Sequence, residues 1–214
     1  GSEMCIRDSL TEGFFMQQIE IKNPVFQDLL NSIAEKIIFP DKFWKMDDVG
    51  FDIEKTYHHA TSEEYLKELQ EKGHNGLPQI HYSNSLRRYK FDQAWVKMKL
   101  GMHFRVNMMT LLSYYPPSGC VGWHSNYDMS GYNLLLTWSE EGDGFFRYQH
   151  PLRKNLVTIP DDKGWMVKMG KFGNTPEDEL WHCASTRCRR ASIGMIFHNK
   201  EEQELAKSFI CGTI

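Results

Sequence analysis

The sequence predicts an α+β protein that is mainly β: an antiparallel double sheet in the second half of the chain, supported by helices from the first half. Three observations carry this. Apolar residues recur at helical spacing up to residue 101 and at strand spacing from residue 106 onward. The runs of the second half are short and are separated at regular intervals by turn residues, as in sandwiches and barrels. None is long enough to cross a membrane; "NLLLTW" (133–138) is typical.

The elements follow in order. In "NPVFQDLLNSIAEKIIFP" (23–40), Asn23 reads as an N-cap and Pro24 as the first helical residue. Phe26, Leu29, Leu30, Ile33 and Ile37 form one apolar stripe, and Pro40 ends the helix. "TSEEYLKELQEKG" (61–73) pairs Thr61 with Glu64 as a capping box and stops at Gly73. "FDQAWVKMKLG" (91–101) is a third helix, capped by Asp92. Strands are expected at 106–115, 132–139, 145–149, 156–160, 165–173, 180–185 and 190–199, with the turns "PPSG", "EEGDG" and "DDKG" between some of them. A short helix at 201–208 closes the chain.

Residues 1–15 join no periodic pattern and are set apart as a tag remnant or disordered segment, leaving 16–214 as one domain with a β core over about 104–199. No signal peptide is read at the start, and the five cysteines include no CxxC pair, so a reducing, cytoplasmic setting is expected. A net charge of -3 gives no general attraction to nucleic acid or anionic membranes. The one compact basic cluster, "RCRR" (187–190), could meet a nucleic acid or a single small dianion.

Two of the nine histidines stand out. His124 and His182 each follow a tryptophan, in "GWH" and "LWH", and each lies at or near the end of a strand. An apolar ring beside a metal ligand is expected to keep such a site dry. Asn126 and Asp128 follow His124 in "GWHSNYD", where a third ligand would fall. Downstream, Arg190 and Ser192 are two apart in a strand and so share a face, a fork suited to a carboxylate. No HExxH, P-loop, GxSxG or dinucleotide fingerprint occurs.

With "YPPSGCVGWHSN" (115–126), "LWHCAS" (180–185) and "RASIGMIF" (190–197), the chain resembles the Fe(II)/2-oxoglutarate-dependent dioxygenases, in the branch of the prolyl hydroxylases and nucleic-acid demethylases. The resemblance spans about residues 106–199. It implies a double-stranded β-helix (jelly roll) core and a facial triad of two histidines and one carboxylate on iron. His124 and His182 would be the imidazole ligands. Arg190, helped by Ser192 and Tyr115, would hold the far carboxylate of 2-oxoglutarate. The cofactors would be Fe(II), 2-oxoglutarate and O2, with succinate and CO2 released as a C–H bond is hydroxylated.

The departure from that pattern is Asn126, where the family has Asp or Glu. Asn126 could ligate through its amide oxygen, Asp128 could turn in, or the position could be vacant. A small molecule or peptide side chain is the preferred substrate and a flipped-out nucleobase the alternative. "GYNLLLTWS" (131–139) with Phe145, Phe146 and Tyr148 would shape the cavity. Two other classes stay open: a cupin-like binding protein with a degenerate metal site, and a zinc hydrolase that has no use for Arg190 and Ser192.

Overall fold

The computed structural model describes residues 15–37, 58–72, 87–88, 93–104, 106–126 and 130–214. Strand β1 (Met16–Ile19) precedes helix α1 (Pro24–Ile37), then α2 (Glu63–Lys72), β2 (Arg87–Arg88) and α3 (Gln93–Gly101). Eight strands follow: β3 (Val106–Tyr115), β4 (Cys120–His124), β5 (Gly131–Ser139), β6 (Gly144–Gln149), β7 (Leu156–Pro160), β8 (Gly164–Phe172), β9 (His182–Thr186) and β10 (Arg190–Phe197). Helix α4 (Lys200–Ile210) ends the chain. No helix among the described residues is long and apolar enough to cross a membrane.

The strands form two antiparallel sheets, ordered β1-β8-β5-β10-β3-β2 and β4-β9-β6-β7. The architecture is compatible with a β-sandwich or jelly roll. Alternation along the larger sheet sends Leu134 and Leu136 of β5, Val167 and Met169 of β8, and Ala191, Ile193 and Met195 of β10 to one face. There they meet Phe26, Leu30 and Ile33 of α1, Val96 and Leu100 of α3, and Ala206 and Ile210 of α4. Burial of each large side chain in this layer stabilises the fold by about 1.5–3 kcal/mol. The opposite face of the same sheet turns toward the smaller sheet: Met16, Tyr115 and Phe172 pack with Val121, Phe146, Tyr148 and Ala184. A third cluster covers the outside of the smaller sheet, where Tyr65, Leu66 and Leu69 of α2 meet Trp123 and Cys183.

The helix signals are largely confirmed. Asn23 caps α1, its Oδ1 accepting from the backbone N–H of Val25 at 2.9 Å and Phe26 at 3.3 Å. Its Nδ2 donates to the Phe209 carbonyl at 2.9 Å, clasping the start of α1 to the end of α4. Of the predicted stripe, Phe26, Leu30 and Ile33 are buried and Leu29 packs beside them. The side chain of Ile37 and residues 38–57, 73–86 and 89–92, with the expected stops at Pro40 and Gly73 and the Asp92 cap, lie outside the described residues.

One cap differs from expectation. Ser62, not Thr61, caps α2: its Oγ accepts from the Tyr65 N–H at 3.1 Å. Thr61 is buried, and its carbonyl receives the Arg147 guanidinium. Both Thr61 and Ser62 stand three residues from a plausible partner, and tertiary packing chose the second. The polar Gln203 of α4 is buried against the larger sheet, donating to the carbonyls of Asn133 and Gly170 at 2.8 and 3.0 Å. Three strands are missing from the expected set: β1, which pairs with β8, the two-residue β2, which pairs with β3, and β4, which pairs with β9, although His124 was read as lying at or near a strand end. Cys120, Cys183, Cys188 and Cys211 are all buried free thiols.

Candidate functional site

His124 and His182 stand directly opposite each other in neighbouring strands. Strict alternation would not have put them on one face with the strand before His124. Val121 pairs with Ala184 and His124 with His182, so β4 uses three steps where β9 uses two. The extra residue is a β-bulge, a device that re-aims a side chain. It lets Val121 and His124 both face the larger sheet while Trp123 faces out.

The two imidazole centroids are 4.2 Å apart with planes tilted by 53°. His182 also lies against Phe172 and Phe146, at 4.8 and 5.5 Å between ring centroids. The Nδ1 of His124 is 2.8 Å from the Gly122 carbonyl, and that of His182 is 2.8 Å from the Leu180 carbonyl. A carbonyl only accepts, so each Nδ1 carries the proton and each Nε2 carries the lone pair. Metal-binding histidines are characteristically fixed this way. Burial, reinforced by the neighbouring His124, holds the pKa of His182 well below the ordinary imidazole value. It is therefore neutral at physiological pH.

The tryptophans do not line this site, against expectation. Trp123 packs against α2, its indole N–H donating to the Ser62 carbonyl at 2.7 Å, and Trp181 is half-buried in the same outer cluster. Phe145 joins that outer layer too, whereas Phe146 and Tyr148 face inward. Adjacent residues of a strand point to opposite faces, so the dryness attributed to Trp comes instead from Phe146 and Phe172.

Asn126 follows β4 and is half-buried. Asp128 lies outside the described residues. Among the described residues no group of three His, Cys, Asp or Glu side chains is placed to hold a metal ion.

The sequence expected Arg190 to meet a carboxylate, and it does, but the carboxylate belongs to the protein. Arg190 is 1% exposed, and its Nε donates to Asp161 Oδ2 at 2.7 Å. Its Nη1 donates to Ser192 Oγ at 2.8 Å, and the guanidinium lies 4.9 Å from the centre of the Tyr115 ring. Lys168 Nζ, fully buried, reaches the other oxygen of Asp161 at 3.3 Å and Thr137 Oγ1 at 3.5 Å. Burial pushes the Asp161 carboxyl up, but Arg190 and Lys168 together outweigh it and hold it below the usual carboxylate range. Burial lowers Lys168 to about 8, Asp161 opposing and Arg190 assisting. Burial likewise raises the Tyr115 phenol, against the pull of Arg190.

Asp161 is fixed in this place. Its backbone N–H donates to the Gly144 carbonyl at 2.8 Å, and its carboxylate lies over the bare Cα of Gly144. A Cβ on Gly144 would stand 2.6 Å from Asp161 Oδ2 and 2.9 Å from the Ser185 carbonyl. Gly144→Ala is expected to push Asp161 off Arg190 and destabilise the fold by about 1–3 kcal/mol, the usual range for overpacking. Urea unfolding measures it; a change below a few tenths would show that the contact gives way freely.

The basic cluster "RCRR" is thus dispersed. Arg190 is interior, Cys188 is buried, and Arg189 is paired with Glu140 on the surface. Asp161, Lys168 and Gly144 were not singled out in the sequence. Asp161 and Gly144 read as turn residues. Lys168 sits in an apolar strand, where a lone lysine reads as solvent-facing.

No family model matches the chain, and no curated protein matches it. Among solved structures it is similar to a Pseudomonas putida prolyl-4-hydroxylase, with 16% identity and a TM-score of 0.32 over 49% of this chain and 57% of that one. It is also similar to YcfD, a ribosomal oxygenase from Escherichia coli, with 16% identity and a TM-score of 0.30 over 50% of this chain and 28% of that one. Likenesses this loose carry no argument about activity.

Proposed function

We propose that this chain is a non-haem Fe(II)- and 2-oxoglutarate-dependent oxygenase on a double-stranded β-helix, hydroxylating a small molecule or a peptide side chain. The strand order supports the fold: from β3 to β10 the chain alternates between sheets at every step except β6 to β7. The observation that carries the function is the in-register imidazole pair, both rings fixed by their own strand's carbonyls with Nε2 as the basic nitrogen.

The donor set fits the groups. His124 and His182 would hold iron through Nε2, with Asn126 or Asp128 as the third protein ligand. Arg190, Ser192 and Tyr115 would hold the far carboxylate of 2-oxoglutarate. Ser113 supports this: its buried Oγ has no hydrogen-bond partner among the described residues, and it stands opposite Ser192 in the sheet. When bound, iron, 2-oxoglutarate and O2 supply an oxidative decarboxylation that yields succinate and CO2 and hydroxylates a C–H bond. The chain supplies two pre-oriented imidazoles, an apolar wall of Phe146 and Phe172, and a cationic end for the co-substrate. Dispersal of the basic cluster supports a small molecule or peptide over nucleic acid.

The test is succinate release from 2-oxoglutarate under air with added Fe(II). Turnover, weakened in apparent co-substrate affinity by Arg190→Met, supports the reading; no turnover and no iron uptake by folded protein overturns it. A second reading, a binding scaffold with a degenerate metal site, is favoured by Asn126, an amide that stands where the facial triad has an acid. Asn126→Asp separates the two. Under the oxygenase reading it changes the rate of a reaction already present. Under the scaffold reading it creates metal binding that the parent lacks.

A further inference from the structure

We infer that Lys168 and Asp161, together with Arg190, set the charge of this buried cluster so that a pocket formed there accepts one singly charged carboxylate and no more. This rests on the oxygenase reading for the identity of the ligand, but the charge argument stands on the side chains themselves. Arg190 and Lys168 bring two positive charges and Asp161 one negative, leaving a sum of +1. All three are buried, between 0% and 5% exposed. An uncompensated charge in such surroundings is costly, and a ligand that cancels it is correspondingly favoured.

The geometry makes Asp161 a resident of the pocket. Its backbone bond to Gly144 and its seat over the Gly144 Cα hold it there, so a ligand binds beside it. Asp161 takes the Nε edge of Arg190, and Ser192 takes one Nη1 proton. The guanidinium has five N–H donors and Tyr115 is a further hydrogen-bond partner, so two are left, enough for one ligand carboxylate. Lys168, on the far oxygen of Asp161, offsets the charge that Asp161 would otherwise cancel. Lys168 is thus a specificity-determining residue that acts through charge. Without it the Arg190–Asp161 pair is neutral, and a carboxylate entering the pocket has nothing to balance it. Hydroxyl donors complete the lining: Thr137 near Lys168, Ser192 on Arg190, and Ser113 opposite Ser192.

Calorimetry on the full chain tests this with two probes. One is 2-oxoglutarate with Mn(II), which reports pocket and metal together; the other is glutarate without metal, which reports the pocket alone. Lys168→Met is expected to fold, because it leaves an intact ion pair, and to weaken both probes at least about tenfold. Lys168→Arg, which keeps the charge, should stay within about threefold of the parent. Lys168→Met with Asp161→Asn returns the sum to +1 and should recover most of the lost affinity; should the double variant not fold, the Met and Arg comparison decides alone. Equal losses in Lys168→Met and Lys168→Arg, or none in either, overturn the inference while leaving the oxygenase reading intact. Glutarate binding that follows this pattern without any effect of metal on 2-oxoglutarate supports the inference and removes the oxygenase reading. A parent protein that binds neither probe overturns both.

Discussion

His182→Ala is expected to abolish the proposed succinate release, by more than about 100-fold, since disturbing only the outer partners of a metal-bound histidine costs about 10–100-fold. The ring is buried, with the imidazole of His124, Phe146 and Phe172 around it. His124→Ala should act alike, because both rings are fixed through Nδ1 and offer the same nitrogen. The check is succinate release together with iron content after anaerobic loading and desalting. Both should fall while each variant stays folded, His182→Ala at some cost in melting temperature because it leaves a cavity in the buried layer. Iron retained at parental stoichiometry in both variants would remove the histidine pair from the account.

Asp161→Ala carries the largest expected effect on stability, a loss of about 3–5 kcal/mol, the range for leaving a buried charge without its partner. Lys168 softens this. Its pKa is already lowered to about 8, so it sheds its proton readily once Asp161 is gone, and the loss should sit toward the low end. Arg190 has no such escape, since its guanidinium stays charged at any physiological pH. Lys168→Met should be nearly neutral by comparison, since an apolar side chain of similar length replaces one member of a buried network and leaves the tighter Arg190–Asp161 pair, at 2.7 Å, in place. Urea unfolding of both variants gives the contrast. A loss under about 1 kcal/mol for Asp161→Ala would mean that water reaches the cluster.

The fold was legible where apolar runs of strand length stand between turn residues. Strands β5, β8 and β10 announced themselves by length and by the turn residues around them. Histidines 124 and 182 and the Arg190–Ser192 fork were legible as residue types at strand ends, and the structure places each pair on a common face. The direction of the neighbouring tryptophans was not. A bulge in β4 shifts the alternation by one residue, and no local residue pattern announced it. Nor was the partner of Arg190 legible, because Asp161 lies in a turn distant in sequence and reaches Arg190 only through the packing of two sheets. Lys168 was hidden by a rule that usually holds. A lysine in a strand normally marks the wet face, but β8 has helices on one side and the second sheet on the other.

The most direct test of the central claim is an anaerobic titration of the protein with Fe(II) and then 2-oxoglutarate, followed in the visible spectrum. The account predicts a charge-transfer band that saturates at one iron and one 2-oxoglutarate per chain, is absent in His182→Ala and needs more 2-oxoglutarate in Arg190→Met. Folded protein that gives no band at saturating iron and 2-oxoglutarate would contradict it.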